Sequence, residues 1–257
     1  MIANYHTHTP RCKHAVGREE EYIQSAISGG LEILGFADHS PYWFTGAGDY
    51  YSTFRMYPEE LPQYVRTLRE LRDKYSGQLR LHIGVEAEYY PRYFEELKAR
   101  LRDEGVEYML LGQHFPGNEI GEIHNSKPTE EEKVLSRFCD QLIEAIQTGA
   151  FTYIAHPDVL NFVGEDAVYR RHMARLCREA KSCGIPVEFN FLGIREGRYY
   201  PNDRFWQVAG EEGCKVIFGA DAHSPDVVTD LATEEKALAM VKKYGLDLIQ
   251  QVEPVKF

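Results

Sequence analysis

The sequence predicts an α/β fold in which seven βα units close into one parallel barrel. Short apolar runs alternate with longer helical patterns along the whole chain, and no Pro/Gly/Ser-rich linker interrupts them. This alternation is typical of a parallel sheet covered by helices. In addition, seven of the 10 histidines stand at or just beyond the end of an apolar run. In a parallel barrel those ends share one rim, where functional groups collect.

The elements are read in order from the spacing of apolar residues. Each predicted strand is followed by a polar loop and a helical pattern. Strands are predicted at 3–7, 31–37, 79–85, 108–112, 152–155, 186–190 and 215–220. Helices are predicted at 19–28, 58–75, 93–102, 129–148, 166–183 and 203–212. Thr129 followed by Glu132 has the form of a capping box, which predicts that the fourth helix starts there.

Length and composition favour one domain over residues 1–257, because a chain with 43% hydrophobic residues can bury a sizeable core. The 29 basic and 40 acidic residues give a net charge of -11, so we expect no long nucleic acid as a partner. The five cysteines form no C-x-x-C pair, and we find neither a signal peptide nor an apolar run of membrane-spanning length. We therefore expect a cytoplasmic protein without a membrane partner; its oligomeric state stays open.

Residues 40–57 break the βα rhythm with a long segment rich in aromatic residues and glycine. Such a segment is too long for a simple βα turn and is a candidate lid over a pocket. Its aromatic residues either line a substrate pocket or pack the segment onto the barrel, and both alternatives stay open. These residues are Tyr42, Trp43, Phe44, Tyr50 and Tyr51.

His6 and His8 close the first predicted strand, and residues two apart in an extended segment point to the same side. They can therefore hold one ion together. Every later strand but the sixth is also followed by a residue whose side chain can bind a metal ion, which predicts a shared multinuclear site on the rim. These side chains are Asp38, His39, Glu86, His114, His156, Asp221 and His223, with His14 able to reach the rim from the short loop at 10–17.

The other three histidines are excluded from this site. His82 lies four residues before Glu86, about 13 Å down the same strand, and we expect it at the barrel floor. His172 belongs to a charged helical stretch, whereas His124 follows His114 in a loop and belongs either to the surface or to the pocket rim.

Several short motifs together resemble the polymerase-and-histidinol-phosphatase (PHP) superfamily, and within it the stand-alone histidinol-phosphate phosphatases. They occur in order along the chain: His-Thr-His at 6–8, Cys-Lys-His-Ala at 12–15, Ala-Asp-His-Ser at 37–40, Gly-Val-Glu-Ala-Glu-Tyr at 84–89, Ala-His-Pro-Asp at 155–158 and Gly-Ala-Asp-Ala-His at 219–223. The chain departs from the family pattern at Glu88, Gln113 and Phe191–Leu192, positions that we expect to touch the pocket.

The resemblance implies a distorted (β/α)7 TIM-like barrel with three divalent transition-metal ions, for which zinc, iron and manganese are equally suited. It assigns one ion to His6, His8, Glu86 and Asp221, a second to Glu86, His114 and His156, and a third to His14, His39 and His223. Glu86 bridges two ions. The implied activity is hydrolysis of L-histidinol phosphate to L-histidinol and phosphate in histidine biosynthesis.

Metal chemistry explains these residue types. A metal-bound water ionises near neutral pH, with a pKa lowered from about 15.7 to roughly 7, and the resulting hydroxide attacks the phosphorus of a small phosphomonoester. Glu86, Asp221 and Asp38 are the predicted catalytic residues. Asp38, next to ligand His39, either orients a ligand or carries a proton, or it only caps the loop. Arg195 resembles the arginine that the family places near the phosphate. Arg55 is a second candidate for substrate binding, and Trp43 is one of the pocket aromatics.

Three other functions stay open at this level. One is a PHP hydrolase of another small phosphomonoester or nucleotide phosphate. An amidohydrolase-type barrel also begins with His-x-His, but it needs a lysine where this chain has His114. A non-catalytic metal-binding module is disfavoured because every ligand position is filled.

Overall fold

Parallel strands form the inner wall of the fold. The structure is a computed structural model that describes residues 1–48, 50 and 52–257. The first sheet has the order β1-β2-β3-β4 and the second the order β5-β6-β7, with every pair parallel. The strands are β1 (Ala3–Asn4), β2 (Ile33–His39), β3 (Arg80–Ala87), β4 (Tyr108–Leu111), β5 (Val187–Asn190), β6 (Lys215–Gly219) and β7 (Asp247–Leu248).

Isolated bridges join the two sheets into a distorted (β/α)7 barrel. Ile154 bridges to Leu111 on one side and to Val187 on the other, so the predicted strand at 152–155 is reduced to a single paired residue. Thr7 bridges to Ala222 and closes the ring between the first and last wall positions. The predicted barrel is confirmed, with β7 as an additional short strand beside the start of β6.

Eight α-helices are found among the described residues. They are α1 (Glu19–Ser28), α2 (Leu61–Tyr75), α3 (Pro91–Glu104), α4 (Glu132–Gln147), α5 (Asp166–Ser182), α6 (Phe191–Glu196), α7 (Asp203–Glu212) and α8 (Leu231–Tyr244). The prediction missed α6, a single short helix directly after β5, and α8, which fully buries only Thr233 and Ala237 and so lacks a clear apolar stripe.

The predicted start of α4 at Thr129 is wrong. Thr129 pairs with Phe162 in an isolated bridge and is therefore extended, and the helix begins three residues later at Glu132. The Thr129 hydroxyl instead accepts a hydrogen bond from the Glu131 backbone N–H at 3.2 Å.

Aromatic side chains fill the lower barrel interior. Tyr108 donates a hydrogen bond to the Tyr5 carbonyl oxygen at 2.7 Å and packs edge-on against the Tyr5 ring, which also contacts Tyr153. Glycines make the room for it: a Cβ at Gly35 would overlap the Tyr108 hydroxyl oxygen, and one at Gly84 would overlap the Tyr108 ring.

His82 lies beside this aromatic floor, with its ring centroid 6.1 Å from that of Tyr5, as the spacing to Glu86 predicts. On the outside of the sheets, the apolar faces of the helices pack into one extended hydrophobic core. Among the described residues, none of the helices combines the length and apolarity needed to cross a membrane.

Candidate metal centre

The nine predicted metal ligands converge at the carboxyl ends of the barrel strands. β2 and β3 deliver His39 and Glu86 in direct register. His156 and Asp221 follow their strands with positive φ angles of 30° and 46°, a conformation that L-residues rarely adopt and that is found at functional sites. The remaining ligands come from loops after β1, β4 and β6: His6, His8, His14, His114 and His223.

Glu86 stands at the centre of the cluster and is 1% exposed. One carboxylate oxygen lies 2.7 Å from His156 Nε2 and 3.7 Å from His114 Nε2. The other lies 3.0 Å from His39 Nδ1 and 3.5 Å from His6 Nε2. Because its two oxygens face different imidazole groups, Glu86 has the geometry of a bridging ligand.

The space around Glu86 depends on a neighbouring glycine. A Cβ at Gly112 would overlap Glu86 Oε1. Only glycine therefore lets the carboxylate occupy this position beside the end of β4.

Asp221 is a second carboxylate of the cluster and lies beside His6 and His8. Its Oδ1 lies 3.1 Å from His8 Nε2 and 3.6 Å from His6 Nε2. The His6 and His8 rings are 5.1 Å apart, so the two side chains lie on the same side as predicted.

The third predicted group is more open to solvent. The His14 ring stacks on the His223 ring at 4.7 Å and lies 5.2 Å from the His39 ring. His39 is buried, whereas the side chain of His223 is 19% exposed.

Unpaired buried atoms show that this cluster fits metal ions. Ligand atoms of His6, His8 and Glu86 lie within 4.8 Å of one another, as do those of His6, His156 and Asp221 and those of His8, His39 and His223. Buried polar atoms without a hydrogen-bond partner are costly unless a ligand satisfies them. Among the described residues, the ligands with such atoms are His6, His8, His39, Glu86, His156, Asp221 and His223.

Electrostatics support the same conclusion. Burial raises the pKa of the Glu86 carboxyl, but His114, His39 and His6 outweigh it and hold that pKa well below its usual range. Burial lowers the pKa of His39 to about 3 despite the nearby Glu86, so its ring is neutral at pH 7. An ionised Glu86 carboxylate beside the neutral imidazole of His39 is a suitable pair of donors for a divalent cation.

His6 and His8 behave differently, because burial is outweighed by carboxylates that raise the pKa of both rings well above the ordinary value. The carboxylates are Glu188 and Asp221 for His6, and Asp221 and Asp38 for His8. A divalent ion that binds to these rings displaces their protons.

Fixed partners orient the ligand rings from behind. Glu188 Oε2 lies 2.8 Å from His6 Nδ1, and Glu88 Oε1 lies 2.9 Å from His114 Nδ1. Backbone carbonyl oxygens face Nδ1 of His14 and of His223. In each case Nε2 is left for the metal, an arrangement that fixes the tautomer and ring orientation. Sequence reasoning assigned no role to Glu188. The available signal was its position in β5, where a charged residue two positions before the end of the strand points into the barrel.

Asp38 caps the loop after β2 and contacts a metal ligand other than His39. Its Oδ1 accepts a hydrogen bond from the His39 backbone N–H at 2.8 Å and lies 3.4 Å from His8 Nδ1. Its Oδ2 accepts a hydrogen bond from the Thr9 hydroxyl. Asp38 therefore holds the loop and faces His8, rather than the imidazole of His39.

The structure does not place Arg55 where a substrate contact requires it. Arg55 is 1% exposed and does not line the cavity above the ligands. Its guanidinium donates hydrogen bonds to Glu88 and Glu119 and to the Ser40 carbonyl oxygen. Since Glu88 also faces His114 Nδ1, Arg55 ties the predicted lid segment to a metal ligand.

The aromatic residues of the segment 40–57 mainly pack it onto the barrel. Tyr42 and Phe44 are buried and stack at 5.3 Å. Trp43, predicted to bind substrate, lies outside the large cavity under the guanidinium of Arg100 at 4.6 Å. Tyr50 donates a hydrogen bond to Glu119, and Tyr51 lies outside the described residues.

A cavity of about 680 Å³ opens above the ligand cluster. Its wall includes side chains that the sequence pattern did not indicate, most of them from the stretch around α6: Phe54, Ser126, Val159, Glu196, Arg198, Tyr199 and Tyr200. His124 also lines it, which resolves that histidine in favour of the pocket rim. Nothing in the spacing of the residues after β5 indicates that they fold back over the site.

Most of the residues that depart from the family pattern do not touch the pocket. Glu88 orients His114, and Gln113 binds backbone groups of Tyr89 and Phe115. Phe191 is buried against Phe218. Of these positions only Leu192 lines the cavity, so the expectation that all of them touch it is wrong.

Arg195 lies behind Asp221 and does not line the cavity. Its guanidinium is 3.4 Å from the Asp221 carbonyl oxygen, 3.5 Å from that of Ala220 and 3.6 Å from Asp230 Oδ2. The guanidinium thus lies against the positive-φ backbone of a metal ligand, its buried Nη1 has no hydrogen-bond partner among the described residues, and its role at the phosphate stays a prediction.

We predict that Arg195→Ala lowers kcat/KM about tenfold, roughly 1.4 kcal/mol, because Asp221 holds its ion less firmly. Metal content should fall, and added metal should restore part of the activity. Arg170→Ala, which removes an exposed partner of Glu211, is the matched control. A raised KM for the phosphate ester with unchanged metal content would instead return Arg195 to the phosphate role suggested by the sequence.

A second prediction concerns the number of ions. Protein purified without chelator should contain close to three transition-metal ions per chain by elemental analysis, because the ligand atoms form several overlapping groups of three and the family resemblance implies three ions. Activity in protein with metal content near zero would contradict this.

Comparison with known proteins gives the same picture. A family model described as "PHP domain" matches residues 4–191. A protein named "Probable histidinol-phosphatase" from Deinococcus radiodurans is 29% identical over 238 residues, covering 88% of each chain. The Bacillus subtilis protein named "Histidinol-phosphatase" is 24% identical and covers 85% of this chain and 92% of its own.

Among solved structures, histidinol phosphate phosphatase from Lactococcus lactis, complexed with zinc, L-histidinol and phosphate, superposes with a TM-score of 0.72. The two chains are 19% identical, and the match covers 99% of this chain and 97% of that one, which establishes the shared fold. With the family model spanning most of the chain, this protein belongs to the PHP domain family.

Proposed function

We propose that this protein is a metal-dependent phosphomonoesterase that hydrolyses L-histidinol phosphate to L-histidinol and inorganic phosphate. One observation carries the proposal: unpaired, buried imidazole and carboxylate atoms face a cavity large enough for a small phosphate ester. The curated relatives named histidinol-phosphatase support the choice of substrate.

The residues of the chain divide the work. Glu86 and Asp221 would supply the negative charge that offsets bound cations, while the imidazoles would hold them without adding negative charge. Bound divalent ions supply an activated water and stabilise charge on the phosphoryl and leaving oxygens. Glu188 and Glu88 keep His6 and His114 in the orientation that presents Nε2 to the site. Tyr199 and Tyr200 form an apolar wall for the organic part of the substrate.

We extend the proposal to the whole of residues 1–257 as one domain. The matched family region ends at residue 191, but Asp221 and His223 lie beyond it and complete the same ligand cluster. The Thr7–Ala222 bridge joins the two ends of the barrel at the site. We further propose a reducing, cytoplasmic setting, which the free cysteines support.

One observation favours a second candidate, a small phosphomonoester with a further anionic group, such as a nucleotide. Arg198 lines the cavity, and a cation there suits an anion better than the cationic amine of histidinol. Glu196 offsets it, because its carboxylate accepts a hydrogen bond from Arg198 Nε at 2.8 Å. The pair leaves the wall close to neutral.

The test compares kcat/KM for histidinol phosphate, an aryl phosphate and a nucleoside monophosphate on metal-replete protein. We expect histidinol phosphate to be preferred by at least roughly tenfold, or about 1.4 kcal/mol of transition-state discrimination. A preference for the nucleotide would select the second candidate. No phosphate release from any of the three would reject both.

A further inference from the structure

Cys12 is a buried thiol in polar surroundings. It is fully buried, yet it belongs to neither of the hydrophobic clusters. Cys139, Cys177 and Cys214, by contrast, are buried within the main apolar core, where cysteine behaves as a small hydrophobic residue. Packing against apolar neighbours therefore accounts for those three thiols but does not account for Cys12.

The neighbours of Cys12 are ligand atoms. Its Sγ and one ligand nitrogen each of His14 and His223 all lie within 4.8 Å of one another. A second such group consists of Cys12, His8 and Asp38. Two of these histidines have unpaired nitrogens: the buried His8 lacks a hydrogen-bond partner at both ring nitrogens, and His223 lacks one at Nε2. Unpaired nitrogens beside a thiol form a donor set that suits a metal ion.

The local backbone fixes this arrangement. Cys12 ends a short 3₁₀ turn, Pro10–Cys12, capped by the Thr9 side chain, and Lys13 then adopts a left-handed φ of 73°. This reversal brings His14 back so that its Nδ1 faces the Cys12 carbonyl oxygen at 2.8 Å. The thiol and the imidazole Nε2 are thus presented from one rigid turn.

Charge makes a thiolate useful at this position. The ion assigned to His14, His39 and His223 has imidazoles as its own ligands, and the carboxylates nearest to it are assigned to the other ions: Glu86 Oε2 lies 3.0 Å from His39 Nδ1 and Asp221 Oδ1 lies 3.4 Å from His223 Nδ1. A thiolate at Cys12 would give this ion an anionic donor that it does not share with the other two ions, which is favourable in a partly desolvated site.

We propose that Cys12 is a further ligand of this third ion and binds it as a thiolate. When the ion binds, the thiol proton leaves to solvent and the sulfur remains as the anionic donor. Because soft thiolate ligands favour zinc over manganese, the third position should then prefer zinc over manganese more strongly than the other two positions do. The inference rests on the multinuclear centre of the proposed function but not on its substrate.

Cobalt substitution tests the proposal directly. The protein is stripped of metal, kept reduced and titrated with Co²⁺ while its absorption is recorded. We expect a sulfur-to-cobalt charge-transfer band in the near ultraviolet for the wild type. C12S should lose this band, keep the visible bands of imidazole-bound cobalt and bind its weakest zinc ion at least tenfold less tightly. C183S, which changes the exposed Cys183, is the matched control and should keep the band.

X-ray absorption on the zinc-loaded C183S protein does not depend on the stability of C12S. It should show a sulfur neighbour at about 2.3 Å, the usual Zn–S distance. Cobalt binding without a charge-transfer band, or zinc with only nitrogen and oxygen neighbours, would overturn the role of Cys12 and leave the phosphatase proposal standing. Failure of wild-type protein to bind any metal would overturn both. Loss of substrate preference with the band intact would reject only the substrate.

Discussion

Replacing Glu86 with glutamine should abolish turnover while the protein stays folded. Both Glu86 oxygens face histidine nitrogens of the cluster, and an amide would remove the charge and present N–H groups to one of those faces. We expect kcat to fall by at least about a thousandfold, roughly 4 kcal/mol of transition-state stabilisation. Steady-state kinetics, together with elemental analysis of the same sample, measures the effect.

Glu144→Gln is the control for this substitution. Glu144 lies on α4 and accepts a hydrogen bond from the Tyr89 hydroxyl, away from the ligand cluster. It should keep wild-type kinetics. If Glu86→Gln retained wild-type kcat with metal bound, Glu86 would have no bridging role and the assignment of the centre would have to change.

Arg55→Met should destabilise the folded protein strongly. Arg55 is the buried cation between Glu88 and Glu119, which are themselves buried. Methionine keeps much of the volume but leaves two carboxylates without their cation. Breaking a buried ion pair in this way costs about 3 to 5 kcal/mol, measured as the loss in free energy of unfolding by urea denaturation.

The same variant should also lose metal, because Glu88 then has no fixed partner to hold it against His114. Arg171→Met is the matched control, since it breaks an exposed pair with Glu132 and should cost no more than about 1 kcal/mol. A cost for Arg55→Met as small as that of the control would show that the segment 40–57 does not depend on this ion pair.

The ligand set could be predicted because it depends on local order along the chain. His6, His39, Glu86 and Asp221 each follow an apolar run, and parallel strands bring such positions to one rim. The spacing along β3 also predicted the position of His82. Side chains alternate between the two faces of a strand, so His82 and Glu86 share a face, and four residues separate them by about 13 Å.

The cavity wall and the roles of the arginines could not be predicted in this way. Arg55 and Arg195 are fixed by partners more than 20 positions away in sequence, Glu88 and Glu119 for the first and the Asp221 backbone for the second. Whether an arginine faces solvent, substrate or a buried carboxylate depends on that tertiary pairing. α8 was missed for a related reason: its few buried residues leave a weak periodic signal, and contacts with the rest of the chain decide its place.

The aromatic floor of the barrel has a consequence for how products leave. Tyr5, Tyr108 and Tyr153 fill the barrel interior below the ligands, so the site is a pocket that opens only at the rim. In the proposed reaction, the alcohol lies nearer the opening and phosphate stays against the cations at the bottom. The alcohol therefore departs first, and the retained phosphate occupies the place that the next substrate molecule needs. Inorganic phosphate should accordingly act as a competitive product inhibitor, and the inhibition should increase as phosphate accumulates.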